Sequence, residues 1–370
     1  MLALRARVAA AADRGPLGDA LSLDLLTGGP IACERVATLW SDTDALRELA
    51  HAKRAPLDPV LARELTEYHR RLGASAASLA NLERLARGEG VASVAGQQPA
   101  PLGGPLYSLH KTACTVGLAH EVERRTGVPC VPLFWMHGED SDFAEIRGVS
   151  VADELLQLHD FQLPDAAHHD GQMVGGITIE HVRAVGAEAI AAWAGLPGHA
   201  HVLQLWERSV SQARDLGEAV SALWLALFAE QGLVVVDPRL PAFRAAARPI
   251  IERYLANADA LHAAARGAGV RMEALSGRRA LHDASLESFV FEVDVQAGRR
   301  QKVAAADARA RSAAITLSPS VALRPAVQDG VFPTVAMACG PGEIAYLMQL
   351  REVFELVGVR AAAPVVRFGA

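Results

Sequence analysis

The sequence predicts an α/β fold, a Rossmann-like parallel sheet core carrying helical and β insertions. Three observations predict it. Val91 to Met136 reads as strand, Gly/Pro-rich turn, helix and strand, which is one complete βαβ unit. Further short apolar runs, Leu233–Val236 and Thr334–Ala338, are each separated from the next by helical patterns, so strand and helix alternate along the chain. The second strand of the βαβ unit also ends abruptly in His137, Glu139, Asp140 and Asp142. Parallel sheets build their sites by placing polar residues in that way at the carboxyl edge.

Up to about residue 90 the pattern is helical. The opening stretch MLALRARVAAAADRG interleaves Arg with Ala and has no continuous apolar core, which predicts an exposed or amphipathic helix rather than a signal peptide. Asp58-Pro59 opens a helix through Leu72, and Ser78–Arg87 forms another with Leu79, Leu82 and Leu85 on one face. These helices are expected to form a segment, 1–90, packed on a core over 91–370. The run Val91–Ala95 is the first core strand, and Gly96 to Pro105 is a turn-rich loop. Leu106 to Arg125 places Leu106, Leu109, Ala113, Val116, Leu118, Ala119 and Val122 at helical spacing. Pro105 fits a first helical position, where a missing N–H costs little. Val128–Met136 is the second strand.

An insertion over about 150–232 then holds strand candidates Gly148–Val151 and Gly175–Ile179 around a loop, Gln157–Gly171, and helices over His181–Ala194 and Val202–Ala229. Leu233–Val236 returns to the sheet and Pro241–Ala265 to a helix. A second insertion over about 260–322 carries a hairpin, Ser288–Val295 with Gln301–Ala304 around Gly298. Arg324 to Asp329 reads as an uncapped polar segment before the strand Thr334–Ala338. Gly340-Pro341-Gly342 then turns into a helix, Glu343–Val357, stopped by Gly358, and Pro364–Arg367 is a last strand.

At 370 residues the chain can bury a large core, and 51% hydrophobic with 21% charged residues is a globular composition. A net charge of −6 supplies no basic field, so neither nucleic acid nor an anionic membrane is an expected partner. The most apolar run, Val220–Ala229, is too short to span a bilayer, and a soluble, cytoplasmic protein is expected. The four cysteines are scattered without a CxxC pair, as reduced thiols are. Cys114 and Cys130 have apolar neighbours and read as structural, no redox cofactor is expected, and Trp40, Trp135, Trp193, Trp206 and Trp224 read as core.

There is no Walker loop and no GxGxxG. Candidate site residues gather in three places. Gly96, Gln97 and Gln98 end the first strand, and Gly104 and Pro105 lead into a helix whose free N–H groups can face an anion. Tyr107, His110 and Lys111 lie in its first two turns, and Lys111 is one of only three lysines among 36 basic residues. Beyond Trp135, the carboxylates Glu139, Asp140 and Asp142 suit proton transfer, an ammonium group or a hard cation. His137-x-Glu139 lacks the downstream PCxxC of zinc deaminases, and no metal site is assigned. The third group is Arg324, Gln328, Asp329, Gly340, Glu343 and Tyr346. An Arg fork binds carboxylates, and Gly340–Glu343 offers a second free helix N-terminus. Two such termini at one sheet edge suit a substrate carrying carboxylates. His168-His169-Asp170 and His199-x-His201 read as surface histidines.

GQQPAPLGGPLYSLHK, followed by VPLFWMHGEDSDFAEI, resembles the signature of the bacillithiol biosynthesis cysteine-adding enzyme family, BshC. LFAEQGLVVVDPRLPAFRAAARPI and LRPAVQDGVFPTVAMACGPGEIAYLMQLREVFELVGV resemble two further blocks of that family in the same order. The resemblance runs from about Leu21 to the end. It implies a core similar to nucleotidylyltransferases and class I aminoacyl-tRNA synthetases, with connecting-peptide insertions. It also implies a ligase that joins L-cysteine to the amino group of glucosaminyl malate. Amide formation from a free carboxylate needs activation, most simply by ATP with Mg2+, through a mixed anhydride that the sugar amine attacks. Lys111, His110 and the helix N-terminus would then face developing phosphate charge. Glu139, Asp140 or Asp142 would hold the cysteine ammonium or take the amine proton, and Arg324 would hold the malate carboxylates.

The sequence departs from the family at Ser141, where His is usual, at Arg147-Gly148 for Asn-His, and at Ala100-Pro101 for Gly-Leu. The family's C-terminal coiled coil is also absent from it, so a monomer or weak dimer is expected, and a related small amine is the other candidate acceptor. Two rival readings stand beside the ligase. One is a non-catalytic relative that grips a carboxylated metabolite or a partner, and the other is nucleotidyl transfer without ligation.

Overall fold

The structure, a computed structural model, describes residues 19–367. The helix read at the extreme N-terminus lies outside them. Five helices lead in: α1 (Ala20–Thr27), α2 (Pro30–Arg35), α3 (Thr43–Lys53), α4 (Pro59–Arg71) and α5 (Ala76–Ala86). Asp19, Asp42, Asp58 and Ser75 cap four of them by accepting N–H groups of the first turn. Leu21, Leu61, Leu65, Leu82 and Leu85 on these helices join the core under one face of the sheet.

β1 (Val91–Gln97), α6 (Leu106–Thr126) and β2 (Cys130–Met136) form the central βαβ unit, with Val91 opposite Cys130 and Gln97 opposite Met136 in a parallel ladder. Every residue of β2 is buried, as in a strand covered on both faces. Val131, Leu133 and Trp135 point into one core, and Phe134 and Met136 into another.

Between β2 and its next neighbour lie α7 (Phe143–Ile146), an antiparallel ribbon of β3 (Gly148–Ala152) and β4 (Leu158–Gln162), and helices α8 (Ile179–Ala191), α9 (His199–Gln212) and α10 (Leu216–Leu227). The neighbour is β5 (Val234–Val236). The chain continues through α11 (Pro241–Ala256), α12 (Ala258–Ser276), β6 (Val290–Asp294), β7 (Arg299–Lys302), α13 (Ala305–Arg311), β8 (Thr316–Pro319) and α14 (Arg324–Val331). It ends with β9 (Thr334–Cys339), α15 (Pro341–Gln349), α16 (Arg351–Leu356) and β10 (Ala363–Val366). The main sheet runs β10-β9-β1-β2-β5, all parallel, and β7-β6-β8 form a separate antiparallel sheet. From β1 the chain builds first to one side and later to the other. The crevice between the carboxyl ends of β1 and β9 is therefore a topological switch point, where open α/β sheets bind ligands.

Several elements differ from the sequence reading. Gly175–Ile179 is not a strand, and β3 pairs instead with β4, inside the segment read as a loop. β4 has no buried residue, so its alternation carries little hydrophobic signal. The helix read over 202–229 is broken before Asp215, whose carboxylate caps α10. Those over 241–265 and 343–357 break at Asn257 and Leu350. Arg324–Asp329 is helical, started by a proline in its first turn. β8 adds a third strand to the inserted hairpin, Pro105 caps α6 rather than opening it, and Trp40 and Trp193 are only half-buried.

The face of α6 also differs. It buries Ser108, Lys111, Thr112 and Thr115 together with Ala119 and Val122, while Leu106 and Leu109 stay exposed. The Thr112 and Thr115 hydroxyls donate to the carbonyls of Ser108 and Lys111 at 2.8 and 3.0 Å, and Ser93 Oγ of β1 donates to Thr115 O at 2.8 Å. Short side chains that satisfy themselves let this helix lie close on the sheet.

Candidate functional site

The switch point is closed by one ion pair. Lys111 is buried on α6, and its Nζ donates to Gly96 O at 2.7 Å, to Glu343 Oε1 at 2.8 Å and to Gln97 Oε1 at 3.5 Å. It thereby joins the end of β1 to the start of α15. Glu343 Oε2 accepts the N–H of Gly340, the residue before α15, at 2.7 Å, while the first-turn N–H groups of α15, on Gly342 and Glu343, have no partner among the described residues. The first N–H groups of α6, on Leu106 and Tyr107, have no partner among the described residues. Gln97 Nε2 donates to Gln98 Oε1 at 2.9 Å and to the Tyr107 hydroxyl at 3.1 Å, and Gln98 donates to Glu145. Burial, and then Glu343 beside it, pushes the Tyr346 phenol well above its ordinary range.

His137 follows β2 directly. Its Nδ1 lies 3.3 Å from Arg324 Nη1. A guanidinium only donates, so this Nδ1 accepts and the ring proton sits on Nε2. Burial, with Arg324, Lys111 and Arg300 around it, holds the imidazole well below its usual range and neutral. Gly96 makes the room, because a Cβ there would sit 2.6 Å from His137 Nε2. Asp140 Oδ1 accepts from Arg300 Nη2 at 2.9 Å and from the Ser141 N–H at 2.7 Å, with Arg324 Nη2 3.9 Å from Oδ2. Burial alone would raise this carboxyl, but Arg324, Arg300 and the two N–H groups of Ser141 and Asp142 bring it below the ordinary range. Burial dominates at Glu139 and raises it, although Arg244 donates twice to Oε1, at 3.1 and 2.9 Å. Burial pulls Arg300 down to about 10, with Arg324 adding to it and Asp140 opposing. The turn is clamped from outside, where Val174 and Gly175 donate to Asp140 O and Gly138 O at 2.7 and 2.9 Å.

The structure thus brings together Gly96, Gln97, Lys111, Glu139, Asp140, Arg324, Gly340, Glu343 and Tyr346, with Gln98 and Tyr107 at the rim. It does not bring in the others. Asp142 is exposed and caps α7 through the Glu145 N–H at 3.4 Å. His110 makes no hydrogen bond among the described residues. Trp135 is 1% exposed and packs edge-on against Phe243 and Phe332 in the core. Asp329 accepts from Gln328 Nε2, Thr334 Oγ1 and the Ala362 N–H at 3.1, 2.5 and 2.7 Å, a knot that ties α14 to β9 and to the approach of β10. Gly104, at φ +84°, and Pro105 shape the turn into α6.

His137, Arg244 and Arg300 belong to the cluster and were not singled out as site residues from sequence. His137 stood in view within its polar run. Arg300 reaches Asp140 across 160 positions, and no local pattern marks it. Among the described residues no three His, Cys, Asp or Glu side chains converge to hold a metal, and no helix is long and apolar enough to cross a membrane.

A family model described as "Bacillithiol biosynthesis BshC, N-terminal Rossmann-like domain" matches residues 38–309 and 300–368. Among curated proteins, the "Putative cysteine ligase BshC" of Geobacillus kaustophilus is 32% identical over 371 residues, covering 92% of this chain and 67% of that protein. The protein of the same name from Geobacillus thermodenitrificans is 29% identical, covering 96% and 69%. The one from Solibacter usitatus is 32% identical, covering 74% and 53%. This chain spans roughly two thirds of the length of the two Geobacillus proteins.

Proposed function

The chain belongs to the BshC family of bacillithiol biosynthesis, and from that premise we propose that it is a ligase joining L-cysteine to the amino group of glucosaminyl malate or of a related small amine. The observation that carries the reading is the convergence of Lys111 with Glu343, neutral His137, Asp140, Arg324 and Arg300 at the switch point between β1 and β9. Such a cluster supports recognition of an anionic substrate. The cations Lys111, Arg244, Arg300 and Arg324 outnumber the carboxylates Glu139, Asp140 and Glu343 by one.

Amide formation needs an activated carboxyl: ATP with Mg2+ would supply a phosphoryl or adenylyl leaving group to the cysteine carboxyl, and the C–O bond to that group would break as the amine nitrogen bonds to the carbonyl carbon. Unpartnered N–H groups at the start of α6 beside the buried Lys111 ammonium are a fit for phosphate. In this reading Lys111 faces charge that develops on the activated group, and the Nε2–H of His137 donates to the reacting carbonyl. Arg324 holds a carboxylate of the acceptor. Glu139, held above the ordinary carboxyl range by burial, takes the proton of the attacking amine, while Asp140 orients the arginines. Arg244 would have to release part of its hold on Glu139 for that transfer.

The test is a mass-spectrometric endpoint assay with cysteine and glucosaminyl malate, with and without Mg-ATP. A Lys111→Met variant whose fold is checked by circular dichroism runs beside it. A cysteinyl adduct made by the native chain and lost in the variant is expected. No adduct under any condition from folded protein rejects the ligase and leaves the non-catalytic metabolite-binding relative. Pyrophosphate release without cysteine consumption points instead to nucleotidyl transfer.

A further inference from the structure

Arg300 comes from β7 of the inserted sheet, and its guanidinium is incompletely satisfied. Nη2 donates to Asp140 Oδ1 at 2.9 Å and Nε lies 3.4 Å from Ser141 Oγ. The face of the group lies 4.3 Å over the Phe291 ring. A ring below the plane attracts the cation but takes none of the in-plane N–H donors. Nη1 is buried, in a side chain only 5% exposed, and has no partner among the described residues. A buried charged donor left unmet is costly, and natural structures keep few of them. Beside it stands Arg324, a second cation that shares Asp140, so one carboxylate serves two guanidinium groups. Arg300 and Ser141 also line a polar groove of about 910 Å3 that runs along the inserted sheet, with Asp170, Gln301 and Thr316 offering partners for hydroxyl groups.

We propose that the inserted sheet forms the second wall of the site, where Arg300 and Arg324 together grip a carboxylate of the amine acceptor and the hydroxyl-rich remainder of that acceptor lies along the groove. The acceptor identity rests on the ligase reading, whereas the carboxylate site rests on Arg300 itself. The insertion is then a specificity element. It supplies the donor that tells a carboxylated sugar amine from an uncharged one.

The site is tested without turnover, by calorimetric titration of L-malate, inorganic phosphate and glucosaminyl malate into the native chain, Arg300→Gln and Arg300→Lys. Malate and glucosaminyl malate are expected to bind the native chain. Arg300→Gln should weaken both roughly ten- to a hundredfold, the value of a lost charge-assisted pair, and Arg300→Lys should fall between, keeping the charge and losing the fork. Thermal melting of each variant is followed in parallel, and Arg300→Lys carries the test if Arg300→Gln does not fold. Unchanged malate affinity in the folded variants, or no malate binding by the native chain, overturns the proposal. Phosphate binding that is tighter than malate and equally dependent on Arg300 overturns the carboxylate assignment. Malate binding that depends on Arg300, in a protein that makes no adduct, removes the ligase and leaves the site standing.

Discussion

Two arginines, Arg300 buried and Arg239 largely so, flank the polar turn after β2, and they are used in opposite ways. Arg239 is saturated. It donates to both oxygens of Asp237 and both of Asp215, at 2.7 to 3.1 Å. Burial works against its charge, but the two carboxylates outweigh it and hold the guanidinium well above its ordinary range. Three glycines make its channel. A Cβ on Gly138, Gly175 or Gly217 would sit 3.0, 2.9 or 2.4 Å from its side chain. Arg300 shares a single carboxylate with another arginine, is pulled down to about 10, and keeps one nitrogen unmet. A cation with two carboxylates is complete before any ligand arrives, and a cation with a half share in one is not. The first holds the turn in place, and the second awaits a partner.

The sharpest way to break that comparison is Arg239→Met. It leaves the buried Asp237 facing the partly exposed Asp215 with no cation between them, and urea denaturation should show a loss of about 3 kcal/mol. A loss under about 1 kcal/mol would mean that Arg239 is not the structural member of the pair.

His69 offers the next contrast, a buried base with no carboxylate at all. Its Nε2 accepts the Val235 N–H at 3.0 Å, its Nδ1 lies 2.8 Å from Leu65 O, and burial pulls it from 6.5 to about 4. Because the folded value lies below the unfolded one, its contribution is complete above pH 6.5 and is lost as pH falls through about 4. The loss amounts to about 3 kcal/mol. Stability measured from pH 7 to 4 should fall more steeply in the native chain than in His69→Gln, and parallel curves would remove His69 as a cause.

Gly217→Ala narrows the channel of Arg239 without touching a charge, and about 1–3 kcal/mol should be lost, with the Arg239→Met background largely abolishing the effect. Additive losses would show that the glycine serves something else. The smallest expected effect on folding is that of Arg300→Gln, within about 1 kcal/mol of the native chain, although carboxylate binding suffers. A stability loss matching that of Arg239→Met would make both arginines structural.

The parallel core was legible because its signals are local. The Gly/Pro turn between two apolar runs specifies a βαβ unit, and Lys111, Arg324 and Glu343 sit in recognisable blocks. Other parts depend on what a side chain meets far along the chain. Glu343 could be placed near the edge, but not that its two oxygens close both Lys111 and the Gly340 N–H. Asp142 and Asp140 are equally acidic on paper, and only the backbone decides that one caps α7 while the other receives two arginines. Gln328 and Asp329 looked like ligand groups because polar residues among prolines suggest a site, yet Gln328 donates to Asp329, and Asp329 accepts from Thr334 and the Ala362 N–H. The α6 leucines misled for a related reason. Hydrophobicity marks a buried face only where the interface is wide, and close helix–sheet contact selects small residues instead.

The position of β1 has a consequence for how the chain is made. One of its neighbours, β2, is synthesised almost at once, whereas the other, β9, belongs to the last part of the sequence. A nascent chain therefore carries the most central strand of the sheet with one open edge for most of translation, the kind of edge that invites wrong pairing. Lys111, already beside β1, has no counter-ion until Glu343 leaves the ribosome. Closure of the edge and neutralisation of the lysine are then one event, late and non-local. Refolding should be correspondingly slow, with the ion pair forming only as β9 docks.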